Sequence, residues 1–241
     1  MKGIILSGGT GSRLFPCTKI TSKQLLPVYN RPMIFYPLNT LVKAGIKDIL
    51  IIVAPERAGD YLNLLGSGKE FGVKLTYEIQ DKPFGLPEAF IIGEQFIGND
   101  NVAMILGDNI FEDDFTEEIK NFSIGAKIFA KKVKDPERFG VIKFDKNMKA
   151  EAIVEKPKEK ISDYAITGLY LYDKRVVDIV KKLKPSPRGE LEIVDVHNWF
   201  LDNAELDVVE VKNEWVDCGT FDSLLQAQIL ARERLQHLLV I

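Results

Sequence analysis

The chain has 241 residues, 46% of them apolar, and a formal net charge of −3 with acidic and basic residues interspersed. That much apolar content excludes a disordered chain, and the lack of a basic stripe argues against a nucleic-acid binder. No apolar run reaches membrane-spanning length and the first residues have no signal-peptide pattern, so a cytoplasmic protein is expected.

In chain order, residues 4–6 form a short apolar run that reads as a strand, and it ends in a loop holding Gly8, Gly9 and Gly11. Residues 32–41 have helical spacing after a Pro-Val-Tyr-Asn-Arg-Pro turn. Residues 49–53 are continuously aliphatic, as in a strand buried on both faces. A helix over 61–65, a strand over 73–78, a helix over 86–96 and a buried strand over 102–106 complete a βαβ alternation. The second half changes texture. Strands are expected over 126–133, 141–144, 150–154, 165–171 and 206–211, with helices over 174–183 and 191–201. A final amphipathic helix is expected over 221–239, with Leu224, Leu225, Ile229, Leu235 and Leu238 on an apolar face that packs internally by default or joins two subunits. The pattern predicts a mixed, mostly parallel α/β sheet flanked by helices, its N-terminal half Rossmann-like. We take 1–241 as one domain, with about 1–110 and about 111–220 as its two halves and 221–241 as a closing helix.

The glycine loop suits an anion, because glycines let backbone N–H groups approach closely and Arg13 and Lys23 follow at once. It is not a dinucleotide fingerprint, since Leu14 stands where a third glycine is needed. Nor is it a Walker A loop, because the single Gly-Lys step, Gly68-Lys69, precedes Glu70. Cys17 and Cys218 are far apart, and with His197 and His237 they make no zinc-spaced cluster and no histidine-centred hydrolase. Asp108 follows the 102–106 run, where open α/β sheets bind ligands, yet a Gly-Asp-Asn turn is the commoner fate of such a residue. Asp217 reads equally as an Asx turn or helix cap.

Gly8-Gly9-Thr10-Gly11-Ser12-Arg13-Leu14, Pro16, Thr18 and Lys23-Gln24-Leu25-Leu26-Pro27 resemble the signature of the sugar-phosphate nucleotidyltransferases, and more narrowly of the glucose-1-phosphate thymidylyltransferases. Matches continue through Leu106-Gly107-Asp108-Asn109, Asp135-Pro136-Glu137-Arg138-Phe139-Gly140, Glu155-Lys156-Pro157, Arg188-Gly189-Glu190-Leu191-Glu192 and Trp215-Val216-Asp217. The resemblance implies that glucose 1-phosphate attacks the α-phosphorus of dTTP and pyrophosphate leaves. The nucleophile is already anionic, so positioning and charge neutralisation are needed rather than a general base.

On that resemblance, Arg13 and Lys23 are the catalytic cations. Gly8, Gly9, Thr10, Gly11, Ser12, Gln24, Gln80, Gly85 and Asp108 would bind the nucleotide, Gln80 and Gly85 by contacting the base edge. Asn109, Gly140, Glu155, Lys156, Ile166 and Asp217 would bind the sugar phosphate, with Thr167 and Gly168 on the opposite wall. Asp108 and Asp217 would hold Mg2+. Cys218 is uncommon beside that motif and is expected to pack as a small apolar group. Pro87 and Glu88 stand where the family more often has Ala and another polar residue, which leaves thymine against uracil open. A uridylyl transfer or another hexose 1-phosphate is the alternative. A catalytically silent sensor should have lost the four charged residues, and all four are present. Longer members carry a helical extension with an effector pocket. The chain here ends at Ile241, so that feedback is not expected, and homo-oligomerisation is left open.

Overall fold

The computed structural model describes residues 1–236. The first half runs β1 (Lys2–Ser7), the short ribbon strands β2 (Pro27–Val28) and β3 (Arg31–Pro32), α1 (Phe35–Lys43), β4 (Asp48–Val53), α2 (Ala58–Leu65), β5 (Lys74–Ile79), α3 (Glu88–Ile92), α4 (Glu94–Ile97) and β6 (Val102–Leu106). The second half runs β7 (Asn109–Phe111), α5 (Thr116–Lys120), β8 (Ala126–Lys132), β9 (Gly140–Phe144), β10 (Ala150–Glu155), β11 (Tyr164–Tyr172), α6 (Val176–Val180), α7 (Ile193–Asp202), β12 (Leu206–Glu210), β13 (Trp215–Asp217) and α8 (Phe221–Leu230).

The main sheet has the order β10-β9-β11-β6-β1-β4-β5, with β8 paired to both β11 and β12. β1 pairs in parallel with β4 and β6, and β4 with β5. β11 runs antiparallel to β6, β8 and β9, while β12 is parallel to β8. The aliphatic strands alternate between two cores. Ile4, Leu50, Ile52 and Met104 face one layer of helices. Ile5, Ile49, Ile51, Val53 and Ile105 face the other. Burial on both faces is why these runs carry no polar alternation.

After β5 the chain crosses back to place β6 on the far side of β1. The β1–β6 boundary is therefore a topological switch point, where the two following loops diverge and leave a crevice. Gly8 follows β1 and Gly107-Asp108 follow β6, tied together by the Gly107 N–H donating to the Leu6 carbonyl at 2.9 Å.

Several expected elements change shape. The helix expected over 86–96 is two short pieces meeting at Gly93. A Cβ there would stand 3.1 Å from both Ile4 Cδ1 and Leu50 Cδ2, so glycine lets the segment press onto the sheet. The helix expected from 32 begins at Phe35, because Arg31–Pro32 pair with Pro27–Val28. α8 has a capping box at Thr220 and Ser223, and one π-helical turn (Ala231–Leu235) follows it. Its expected apolar face divides. Leu224 and Leu235 are buried under the glycine-loop region, whereas Leu225 and Ile229 are exposed beside Phe221. Leu238 and the expected end of this helix lie outside the described residues. Cys218 is fully buried in the same cluster.

Candidate active site

A cavity of about 430 Å³ opens at the switch point and extends toward β9–β11. Gly9, Arg13, Lys23, Gln24, Gln80, Gly85, Asp108, Asn109, Gly140, Glu155, Lys156, Ile166 and Asp217 all line it. Thr167 and Gly168 are in the same wall. Gly8, Thr10, Gly11 and Ser12 are not among the lining residues. Gly8 is buried beneath Gln80, and Gly11 sits at φ 63°, a left-handed turn that glycine adopts without strain.

The two remote aspartates meet through a two-stranded ribbon that sequence patterning did not reveal. β13 pairs antiparallel with β7, setting Asp217 opposite Asn109, and the Cys218 N–H donates to the Asp108 carbonyl at 2.9 Å. Asn109 locks this junction. Its Oδ1 accepts from Trp215 Nε1 at 2.7 Å and from the Gly168 N–H at 3.0 Å, and its Nδ2 donates to Asp108 Oδ1 at 3.3 Å. Its oxygen is taken up by protein partners, while Asn109 itself still lines the cavity. Gly168 has no room for a Cβ, which would lie 2.5 Å from Asn109 Oδ1.

Electrostatics here are those of a buried cluster. Lys23 Nζ forms an ion pair with Asp108 Oδ2, both side chains nearly buried. Burial alone would raise the Asp108 carboxyl, yet the Lys23 ammonium and hydrogen bonds from Lys23 and Asn109 hold it below the usual range. Burial would lower Lys23, and the Asp108 and Asp217 charges raise it instead. Asp217 is pushed up to about 6 by burial and by the Asp108 charge, partly opposed by Lys23 and Arg13. Two carboxylates repelling each other beside a cavity are what a divalent cation would neutralise. No cluster of three metal-ligating side chains exists among the described residues. Two carboxylates still suit Mg2+, which takes one or two from protein and the rest from phosphates and water. The donor set therefore fits that ion.

Gln24 is oriented by its oxygen, which accepts from Ser22 Oγ at 2.7 Å and Tyr61 OH at 3.2 Å and so leaves its amide nitrogen as the free end. Lys156 also lines the cavity and sits at φ 41°, sparsely populated for a residue with a side chain, just after β10. Its Nζ is 3.2 Å from Glu155 Oε1, and Arg188 Nη2 is 3.4 Å from the same oxygen. A Cβ on Gly140 would stand 3.4 Å from Glu155 Oε2 and 3.2 Å from Ile166 Cδ1. Arg138, Tyr170, Arg188, Glu192 and Trp215 also line the cavity and had no assigned role. Arg138, Arg188, Glu192 and Trp215 fall inside quoted motifs, so their presence was legible and their direction was not.

The nucleotidyl transferase family pattern matches residues 2–234. The chain belongs to that family. It is 53% identical over 233 residues to the glucose-1-phosphate thymidylyltransferase of Neisseria meningitidis, covering 94% of this chain and 81% of that protein. Among solved structures it is similar to a Bacillus anthracis protein described as a glucose-1-phosphate thymidylyltransferase and crystallised with sucrose. That match has a TM-score of 0.92, 51% identity, and coverage of 97% and 96% of the two chains. A UDP-glucose pyrophosphorylase complexed with UDP-glucose has a TM-score of 0.84 at 23% identity, over 96% and 98% of the chains, and shares the fold.

Proposed function

We propose that this nucleotidyltransferase moves a thymidylyl group from dTTP to α-D-glucose 1-phosphate. A phosphate oxygen of the sugar phosphate bonds to the α-phosphorus, the bond from the α-phosphorus to the α–β bridging oxygen breaks, and pyrophosphate departs carrying that bridging oxygen. One observation carries this reading above all: a single cavity is lined by Arg13, Lys23, Asp108 and Asp217 together with Glu155, Lys156 and Gly140. The identity to thymidylyltransferases over nearly the whole chain supports the choice of substrates.

In this reading the loop from Gly8 to Ser12 surrounds the triphosphate, and Arg13 and Lys23 take the charge that builds on the leaving pyrophosphate. Gln24 supplies its free amide nitrogen, and Gln80 and Gly85 face the base. Asp108 and Asp217 hold Mg2+, which when bound neutralises polyphosphate charge. Lys156 receives the sugar phosphate and Glu155 the sugar hydroxyls, against Gly140 and Ile166. Asn109 positions Asp108 and the β11 wall. Residues 1–110 and 111–220 act as the two sides of one domain. A cytoplasmic location follows from the soluble phosphate substrates, and no helix among the described residues is long and apolar enough to cross a membrane.

The test is pyrophosphate release with glucose 1-phosphate and either dTTP or UTP, with and without Mg2+. The expected result is Mg2+-dependent dTDP-glucose formation with kcat/KM higher for dTTP. Release with neither nucleotide overturns the reading, and a higher kcat/KM for UTP replaces thymidylyl with uridylyl transfer.

A further inference from the structure

The base-facing amide is held by a carboxylate from the next helix. Gln80 is 4% exposed, so its side chain has one narrow setting. Its Nε2 donates to Glu88 Oε2 at 2.6 Å. The same oxygen accepts the Phe84 backbone N–H at 3.0 Å, which anchors the carboxylate at the start of α3. On the opposite side, the Gln80 oxygen lies directly over Gly8, where a Cβ would come within 2.1 Å of it. An ionised carboxylate only accepts hydrogen bonds, so the amide end that meets Glu88 must be the NH2 group. The oxygen is then the end left over the glycine loop, beside cavity-lining Gly9.

We propose that Glu88 is a positioning residue that sets base choice, fixing Gln80 so that it presents an acceptor to the pyrimidine N3 edge. Thymine and uracil carry N3–H and satisfy that acceptor, while the second N–H of the amide remains available to a ring carbonyl. Cytosine has a bare N3, which would face the Gln80 oxygen lone pairs with no hydrogen between them. A site built to accept a hydrogen bond rejects the ligand lacking the donor, because its own buried group is left unpaired. If the amide turned over, an N–H would face N3 and cytosine would be the matching base. Glu88 forbids that turn, so discrimination against cytosine depends on a residue that need not touch the nucleotide.

This inference rests on the proposed pyrimidine-nucleotide reading, with either dTTP or UTP as donor. Its test is the ratio of kcat/KM for dTTP to that for dCTP, measured with the full chain. Glu88→Met removes the acceptor and should lower the ratio about tenfold, through KM, with kcat within about threefold. Glu88→Gln offers an oxygen in the same place and should restore the ratio to within about threefold of wild type. In a Gln80→Ala background, Glu88→Met should add nothing. Glu88→Ala serves as the second acceptor-free variant if the methionine protein does not fold. An unchanged ratio in a folded acceptor-free variant overturns the proposal, as does an equal drop in the Gln80→Ala background. Wild type that turns over neither dTTP nor UTP would instead overturn the functional reading, so the two failures are separable.

Discussion

Two ion pairs that line the same cavity carry similar charges in different surroundings. The Lys23–Asp108 pair, proposed to face the nucleotide, has side-chain exposures of 13% and 11%. The Lys156–Glu155 pair, proposed to face the sugar phosphate, has exposures of 49% and 23%, and Arg188 beside it 44%. Charges out of water interact strongly and hold one geometry, whereas half-wet charges are screened and adjustable. The first arrangement suits stabilising charge that develops during reaction. The second suits binding a hydrated sugar phosphate that must enter and leave.

Removing one buried carboxylate should break this contrast most severely. Asp108→Asn keeps the volume and leaves the Asn109 bonds to Trp215 and Gly168 intact. It deletes a charge from the cluster and leaves Lys23 without its ion-pair partner. Turnover should fall about a thousandfold, on the order of 4 kcal/mol in the barrier. The KM for glucose 1-phosphate should change by less than about threefold. Single-turnover pyrophosphate release would check this, and residual turnover above about a tenth of wild type would place the charge outside the chemistry.

The half-exposed Lys156–Glu155 pair should respond in KM instead. Lys156→Met is expected to raise the KM for glucose 1-phosphate about tenfold or more and to leave kcat within about threefold. Because that pair is half-exposed, the wild-type KM should also climb between about 0.05 and about 0.5 M salt, while Lys156→Met should lose most of that dependence. Steady-state kinetics over a salt series measures both. A fall in kcat with unchanged KM would erase the distinction between the two pairs.

Legibility followed the same divide. The strands around β1, β4 and β6 stood out because burial on both faces leaves an unbroken aliphatic run, whereas sheet chemistry alone left Asp108 reading as a turn residue and only the family resemblance marked it as a ligand. The junction of Asp108 with Asp217 was not, because β7 and β13 have three residues each and no period can show in three residues. Asn109 illustrates the limit. Its motif position suggested a ligand contact, and only the β7–β13 register and the irregular stretch of β11 between Ile166 and Tyr170 reveal that its amide oxygen accepts from Trp215 and Gly168. Glu88 read as a departure from the family pattern, with no hint that it reaches back to Gln80.

A further contrast, read in stability rather than kinetics, lies in α7, where one titratable group is as deeply buried as Asp108 and has no counter-charge. His197 on α7 is fully buried, with Nδ1 2.8 Å from the Tyr172 hydroxyl and Nε2 without a partner. Burial drives its pKa down to about 3. Asp108 keeps its charge because Lys23 compensates the loss of water, whereas His197 stays neutral because only a hydroxyl faces it. The unfolded imidazole titrates near 6.5, so below that pH the unfolded chain binds a proton that the folded chain refuses. Stability from this residue is complete above pH ~6.5 and is lost progressively toward pH ~3. Between pH 7 and 5 the loss should be about 2 kcal/mol. His197→Asn keeps a polar partner for Tyr172 and removes the titration, so urea unfolding at the two pH values should show a correspondingly shallower dependence. An unchanged dependence would mean that the imidazole charges without unfolding the core, and that burial without a counter-ion is not what separates it from the active-site carboxylate.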